Sequence, residues 1–393
     1  MIVSLPDSIC MLYNLLSLRL NDCSRLQYLP KGMRTMRKLC HIYLLGCRSL
    51  ERMPPKLSVL HNLRTLTTFV VSTKDGCEIE ELEDLRHIGN RLELYNLREV
   101  KCGSKANLHG KHNLNELLLY WDHGRDEYDK STIGEATNHE QVLESLEPHD
   151  KLKILEVHRY GGLTISQWMR NPQMFRCLRE LVMTGCRGCK DLPIVWLSSS
   201  LEHLCLRFME RLTTLCKNID VEANTSVQIF PKLKRMELLF LPELDRWAEN
   251  SAGEILGSVM FPQLEKLEIE NCDKLASLPR LTIDYCPGIE EFPRGLLQRR
   301  PTLKHLRIDG CPDLQRRCRE GGEYFDLIAS IPDKYIEDVV MPSDGDHWMR
   351  CSISIIVSRQ RTIQKIRSLF HSVPRKLLLV SLIKAREMHS SAG

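Results

Sequence analysis

Aromatic residues are only 6% of this 393-residue chain, and no apolar stretch reaches the about 18 residues that a membrane-spanning helix needs. The longest candidate, Leu377 to Ile383, is short and flanked by charges. The opening MIVSLPDSIC has no basic leader, and Pro6 and Asp7 interrupt its apolar run, so no signal peptide is expected. Catalytic motifs are missing too: there is no G-x-S-x-G elbow and no H-E-x-x-H pair. The nearest text to a phosphate loop, Gly103 to Gly110-Lys111-His112, has six residues between its glycines where four are required. His112 also stands where Ser or Thr would hold magnesium. Cys186-x-x-Cys189 has no second pair at zinc spacing, and His109-x-x-His112 lies in a Gly/Lys-rich loop. The acidic run Glu78, Glu80, Glu81, Glu83, Asp84 reads as the solvated face of a helix over Glu78 to Ile88. No catalytic residue, cofactor or metal site is expected.

Charge of one sign is scarce as well. The net charge is +4, but the residues from Arg350 onward hold nine Lys/Arg and one Glu. Residues 1–349 are left with 46 basic and 50 acidic groups, which gives no reason to expect nucleic-acid binding. The 16 cysteines are spread along the chain rather than clustered, which favours reduced thiols in the cytoplasm over a disulfide framework.

What the chain does have is leucine in register. Leu5, Leu29 and Met53 stand 24 apart, each followed by Pro. The same step links Ile9, Met33 and Leu57; Leu12, Met36 and Leu60; Leu15, Leu39 and Leu63; and Leu18, Ile42 and Leu66. This period lies in the range of leucine-rich repeats. Within Leu15-x-x-Leu18-x-Leu20-x-x-Cys23 the alternation turns Leu18 and Leu20 to one face of a short strand and residues 17, 19 and 21 to the other. Cys23 takes the asparagine/cysteine position, where a small polar side chain can bond to a neighbouring turn. Leu26 and Leu29 fill the back of the coil.

The rhythm breaks over 73–113 and returns unevenly. Leu92, Leu94 and Leu97 suggest a strand, and Leu114-x-x-Leu117-x-Leu119 resumes the repeat. Asp122 to Asn138 reads as an exposed loop, followed by a short helix at Val142, Leu143 and Leu146. Further copies start at Leu152, Leu178, Leu201, Leu233, Leu264, Leu281 and Leu303, about ten strand cores in all, with a shortened unit at Cys286. The expected fold is an α/β leucine-rich-repeat solenoid, a curved horseshoe with a parallel sheet on its concave face and irregular loops or short helices behind. The expected divisions are regular repeats over 1–72, irregular repeats with an inserted helix and acidic loop over 73–150, irregular repeats over 151–318, a cap over 319–335, and a poorly ordered basic tail over 336–393.

The segments LPDSICMLYNLLSLRLNDCSRLQYLPKGM, LRTLTTFVV, RLELYNLREV, LRELVMTGCRGCKDLPIVWLSSSLEHL and LRIDGCPDLQRRCREGGEYFDLIASIP resemble the leucine-rich-repeat region of plant coiled-coil, nucleotide-binding, leucine-rich-repeat disease-resistance proteins, in the form common in cereals. The resemblance covers roughly residues 1–335. Its most specific part is the Cys-Pro-Asp-Leu ending with Arg316-Arg317-Cys318 and Tyr324-Phe325. It implies a module of innate immunity whose partners are proteins: a pathogen effector, a guarded host protein, or the nucleotide-binding domain of a related receptor. Such receptors carry that domain before the repeats; this chain begins inside a repeat, which leads us to expect a piece of something larger. The alternative, an adaptor choosing substrates for a ubiquitin ligase, would need an F-box-like helical segment, and neither end shows one.

The candidate binding residues are those facing outward from the strands: Arg19, Tyr43, Glu156, His158, Arg207, Arg235, Glu268, Glu270, His305 and Arg307. Leucines hold the core, so these positions are free to set specificity through charge and aromatic anchors. In the tail, Ile363, Ile366, Leu369 and Phe370 have helical spacing amid basic residues, a pattern that suits an anionic membrane or a partner. The favoured reading is that the tail lies outside the ancestral domain, because the resemblance stops near Pro332.

Overall fold

The computed structural model describes residues 2–336, except 75, 123–135, 191, 193–199, 217–226, 229, 249–258, 261–262, 273, 275–279, 285–288, 290–291, 293–304 and 310. Internal contacts divide the chain into Met1–Val339 and Val340–Gly393. The basic tail beyond Ile336 with its helical spacing, most of the acidic loop after Asp122, and Cys286 of the shortened unit lie outside the described residues.

Apolar spacing of three and spacing of two alternate along the first repeats, and each makes its own backbone. Spacing of three gives consecutive i→i+3 turns: Met33 N–H donates to Pro30 O at 3.2 Å, Met36 to Met33 at 2.9 Å and Leu39 to Met36 at 2.9 Å. The same chain of bonds runs Pro6, Ile9, Leu12, Leu15 in the first copy and Leu57, Leu60, Leu63 in the third. In such turns residues i and i+3 eclipse, so every third side chain points inward. Met33, Met36, Leu39, Leu57, Leu60 and Leu63 are accordingly buried. The same geometry corrects the helix expected over Glu78 to Ile88. Ile79–Leu82 is a 3-10 helix, and Leu85 and Ile88 donate to Leu82 and Leu85 in further single turns. A strict spacing of three does not keep one face of a 3.6-residue helix inward.

Spacing of two gives strands. In chain order they are β1 (Ser17–Arg19), β2 (His41–Tyr43), β3 (Thr65–Leu66), β4 (Thr68–Val70), β5 (Gly89–Tyr95), β6 (Asn113–Tyr120), β7 (Ile154–His158), β8 (Glu180–Thr184), β9 (His203–Arg207), β10 (Thr214–Cys216), β11 (Val227–Gln228), β12 (Arg235–Leu239), β13 (Arg246–Ala248), β14 (Val259–Met260), β15 (Lys266–Glu270), β16 (Arg280–Asp284), β17 (His305–Asp309) and β18 (Asp333–Ile336). All described pairings are parallel. One sheet has eight strands in the order β15-β12-β9-β8-β7-β6-β5-β4; β1-β2-β3 and β16-β17-β18 form two further ladders. The third repeat, whose tail drifts in sequence, is where β3 closes the first ladder and β4 opens the large sheet. The helices are few: α1 (Ala136–Ser145), α2 (Pro312–Cys318) and α3 (Phe325–Ile328).

Two features went unforeseen in the sequence. β18 continues the repeat ladder beyond Pro332, pairing Leu306 with Lys334 and Ile308 with Ile336, although Asp333-Lys334-Tyr335 carries no leucine signature. Apart from the main sheet, β10 pairs with β13 and β11 with β14.

Eight of the strands, β1, β2, β5, β7, β8, β9, β12 and β15, are followed by a left-handed residue. Asp22, Gly46, Asn96, Arg159, Gly185, Phe208, Phe240 and Asn271 all have positive φ. Each stands directly before the asparagine/cysteine position, occupied by Cys23, Cys47, Leu97, Tyr160, Cys186, Met209, Leu241 and Cys272. The cysteines bond as that position requires: Cys47 Sγ donates to Leu20 O at 3.1 Å, Cys186 to Val157 O at 3.6 Å and Cys272 to Leu238 O at 3.3 Å. Burial pushes the Cys47 thiol up to about 11, so it stays a donor rather than a thiolate. Among the described residues every cysteine is free.

Candidate protein-binding face

The parallel register sorts the outward side chains of the large sheet into three rows. The first row lines up as Arg91, Glu116, Ile154, Glu180, His203, Arg235 and Lys266. The middle row is Thr68, Glu93, Leu118, Glu156, Val182, Cys205, Glu237 and Glu268. The last row includes Val70, Tyr95, Tyr120, His158, Thr184, Arg207, Leu239 and Glu270. Six of the ten candidates, Glu156, His158, Arg207, Arg235, Glu268 and Glu270, therefore share this one face.

The other four fall on the smaller ladders. Arg19 registers with Tyr43, and its guanidinium lies 4.2 Å from the ring centroid, a cation–π contact. Arg307 on β17 does the same over Tyr335 of β18 at 4.8 Å. His305 opens β17, opposite Asp333 in the register.

On the large sheet the last row begins with an aromatic ladder. Tyr95 and Tyr120 stack at 4.4 Å and 5° between planes, and Tyr120 and His158 at 4.3 Å and 5°. Ring faces are thus spent on each other, and the Tyr95 hydroxyl donates to Glu93 at 3.2 Å. His158 Nε2 lies 2.8 Å from Glu156 Oε2. Arg91 bridges Glu93 at 2.7 Å and Glu116 at 3.1 Å.

A second cluster sits across β8, β9 and β12. His203 Nδ1 is 3.1 Å from Glu180, and its Nε2 is 3.6 Å from Glu237, so one imidazole stands between two carboxylates. Arg207 donates to Glu237 at 2.6 Å. The bond from His203 outweighs desolvation and holds Glu180 below the ordinary carboxylate value. Burial works to raise Glu237, but the bond and charge of Arg207 prevail and lower it. Because these pairs are partly buried, desolvation offsets much of their attraction, and their main effect is to hold side chains in place.

Glu93, Tyr95, Glu116, Tyr120, Glu180, His203 and Glu237 belong to this face and were missed in the sequence. Their signal was present: each occupies an outward offset around a Leu-x-Leu or Met-x-Leu core, as in Leu92-x-Leu94 and Met236-x-Leu238. The middle row also departs from simple alternation. Leu118, Cys205, Glu93 and Glu237 face outward yet are buried beneath their taller neighbours.

Lys111, from the failed phosphate loop, has a structural task. It is fully buried, and its Nζ donates to Leu82 O at 2.7 Å and Leu85 O at 3.2 Å. It closes the last carbonyls of the 3-10 turns beneath β5. Cys186 and Cys189 are both buried.

Residues 79–209 match the family model described as R13L1/DRL21 leucine-rich repeats. Residues 148–279 match that of RPS2-like plant disease resistance proteins, leucine-rich repeats. Among curated proteins, disease resistance protein RGA2 of Solanum bulbocastanum is 30% identical over 64% of this chain and 26% of its own length. Putative disease resistance protein RGA1 of the same species is 31% identical over 57% and 21%, and a putative disease resistance RPP13-like protein 1 of Arabidopsis thaliana is 29% identical over 60% and 23%. The chain thus spans about a quarter of the length of the curated relatives it matches. An internalin of Listeria monocytogenes aligns over 85% of the chain and 90% of its own at 13% identity and a TM-score of 0.33, too loose a likeness to carry any argument. The fold rests instead on the parallel ladders and repeated turns of the chain itself, and these make it a leucine-rich-repeat protein whose repeats are similar in sequence to those of plant disease-resistance proteins.

Proposed function

We propose that this chain is a non-catalytic protein-interaction module of plant innate immunity, working in the cytoplasm. Its strand face would engage a pathogen effector, a guarded host protein, or the nucleotide-binding domain of a related receptor, restraining that switch by contact. The observation that carries this reading is the face itself. Charged and aromatic side chains stand in registered rows on a backbone whose shape is set by buried leucines. The exposed members of the rows can therefore vary with little effect on the fold, and complementary charge across them sets which partner docks. Similarity to disease-resistance proteins supplies the biological setting.

A pulldown with the nucleotide-binding domain of a full-length relative tests the receptor-contact form of the reading. Association is expected with the natural chain and loss of it with His158→Ala/Arg207→Glu, which alters the last row and leaves the core leucines intact. No association with the natural chain would remove contact with that domain from the reading.

A further inference from the structure

On the large sheet, the first-row residues from Glu116 to Lys266 and the residues just before them in the chain make two adjacent rows along an open groove of about 560 Å³. Residues 1–349 as a whole carry excess acid, 46 basic groups against 50 acidic. The groove reverses that balance. Lys153, Arg179, Lys234, Arg235 and Lys266 line it, against four carboxylates.

The carboxylates are mostly engaged already. Glu116 is held by Arg91 at 3.1 Å, Glu180 by His203 at 3.1 Å, and Glu202 by Lys234 at 3.4 Å with Arg179 at 4.0 Å; Glu265 stands at the far β15 end. Lys266 turns to Glu268 at 3.0 Å. Lys153 and Arg235 are exposed, and no hydrogen bond or ion pair holds either side chain among the described residues, although the charge of Arg235 helps to lower Glu180. Their backbone is firmly held. Lys153 O accepts from both Arg179 N–H and Glu180 N–H, and Arg235 N–H donates to Glu202 O. The two cations are three strand steps apart, from β7 through β8 and β9 to β12. At about 4.8 Å per step that is roughly 14 Å, the span of about four residues of extended chain. Ile154, half-buried beside Lys153, offers an apolar patch at that end, and Glu180 and His203 follow it in the row towards Arg235.

We propose that this groove binds an extended acidic segment of a protein partner, with carboxylates about four residues apart on Lys153 and Arg235. The inference rests on the strand face being a protein-docking surface, but it concerns a different row from the one altered in the pulldown.

The test is fluorescence anisotropy of the full chain with a fluorescein-labelled Ser/Thr peptide bearing two glutamates four positions apart. Saturable binding at low salt is expected, weakening as salt rises. Losing two ion pairs, Lys153→Glu/Arg235→Glu should bind about tenfold more weakly. Lys153→Met/Arg235→Met, which adds no new charge, should weaken it in the same direction with an unchanged circular dichroism spectrum. The proposal is overturned if the natural chain shows no saturable binding, if the same peptide with lysines binds equally well, or if the Met variant binds like the natural chain. A failed peptide alongside an intact, last-row-dependent pulldown would sink the groove alone.

Discussion

At the residue scale, the left-handed position that follows eight of the strands sets the sharpest demand. Asn, Asp and Gly meet it cheaply, because their side chains are short or absent. Phe208 and Phe240 meet it at a cost of about 1–2 kcal/mol each. They are held there because each N–H is fixed to the next repeat, Phe208 to Leu239 O at 3.0 Å and Phe240 to Glu270 O at 2.8 Å. Their rings stack at 4.6 Å and remain exposed. A single stack of two exposed rings returns only about 0.5–1.5 kcal/mol, less than two left-handed residues cost. Phe208→Asn/Phe240→Asn should therefore raise stability by about 1 kcal/mol in urea unfolding. A lower midpoint would mean that stacking outweighs the backbone strain. The position was legible as Asp22, Gly46, Asn96, Gly185 and Asn271, all residues that tolerate it. It was not legible at the two phenylalanines, because nothing in a Phe announces positive φ.

At the element scale, a spacing of three folds into turns rather than the helix it suggests. Leucines three apart read as helix at Ile79, Leu82, Leu85 and Ile88, yet they form stacked single turns closed by Lys111. Desolvation holds Lys111 down to about 8, against about 10.4 for an exposed lysine. Between those values the unfolded chain binds more protons than the folded one, so this group makes stability rise with pH. Below about 8 it is charged in both states, and its contribution is level. Urea unfolding across pH 7–11 should show the natural chain gaining on Lys111→Met by about 2–3 kcal/mol between pH 8 and 10.4. A level difference would show that the Leu82 and Leu85 carbonyls replace water fully for the ammonium. The same scale explains β18. Its residues have no repeat signature, and what makes them a strand is the open edge of β17, whose backbone groups they satisfy.

At the scale of the whole molecule, each coil contacts mainly its neighbours, so stability is close to a sum along the stack. Leu155→Ala, at a fully buried position in β7, should cost about 3 kcal/mol. Amide hydrogen exchange should quicken in β6, β7 and β8 and stay unchanged in β1–β3. Uniform acceleration across both ladders would show instead that the chain unfolds as one cooperative unit. The sequence by itself determined the coil: leucine spacing dictates which residues turn inward, because burial of apolar side chains is a local, periodic requirement. Only tertiary structure decided the face. Which outward residue stands beside which depends on the register between strands separated by loops of unequal length. So Tyr95, Tyr120 and His158 become one stack, Glu237 sinks between His203 and Arg207, and Lys153 and Arg235 flank one groove, although no spacing along the chain relates them.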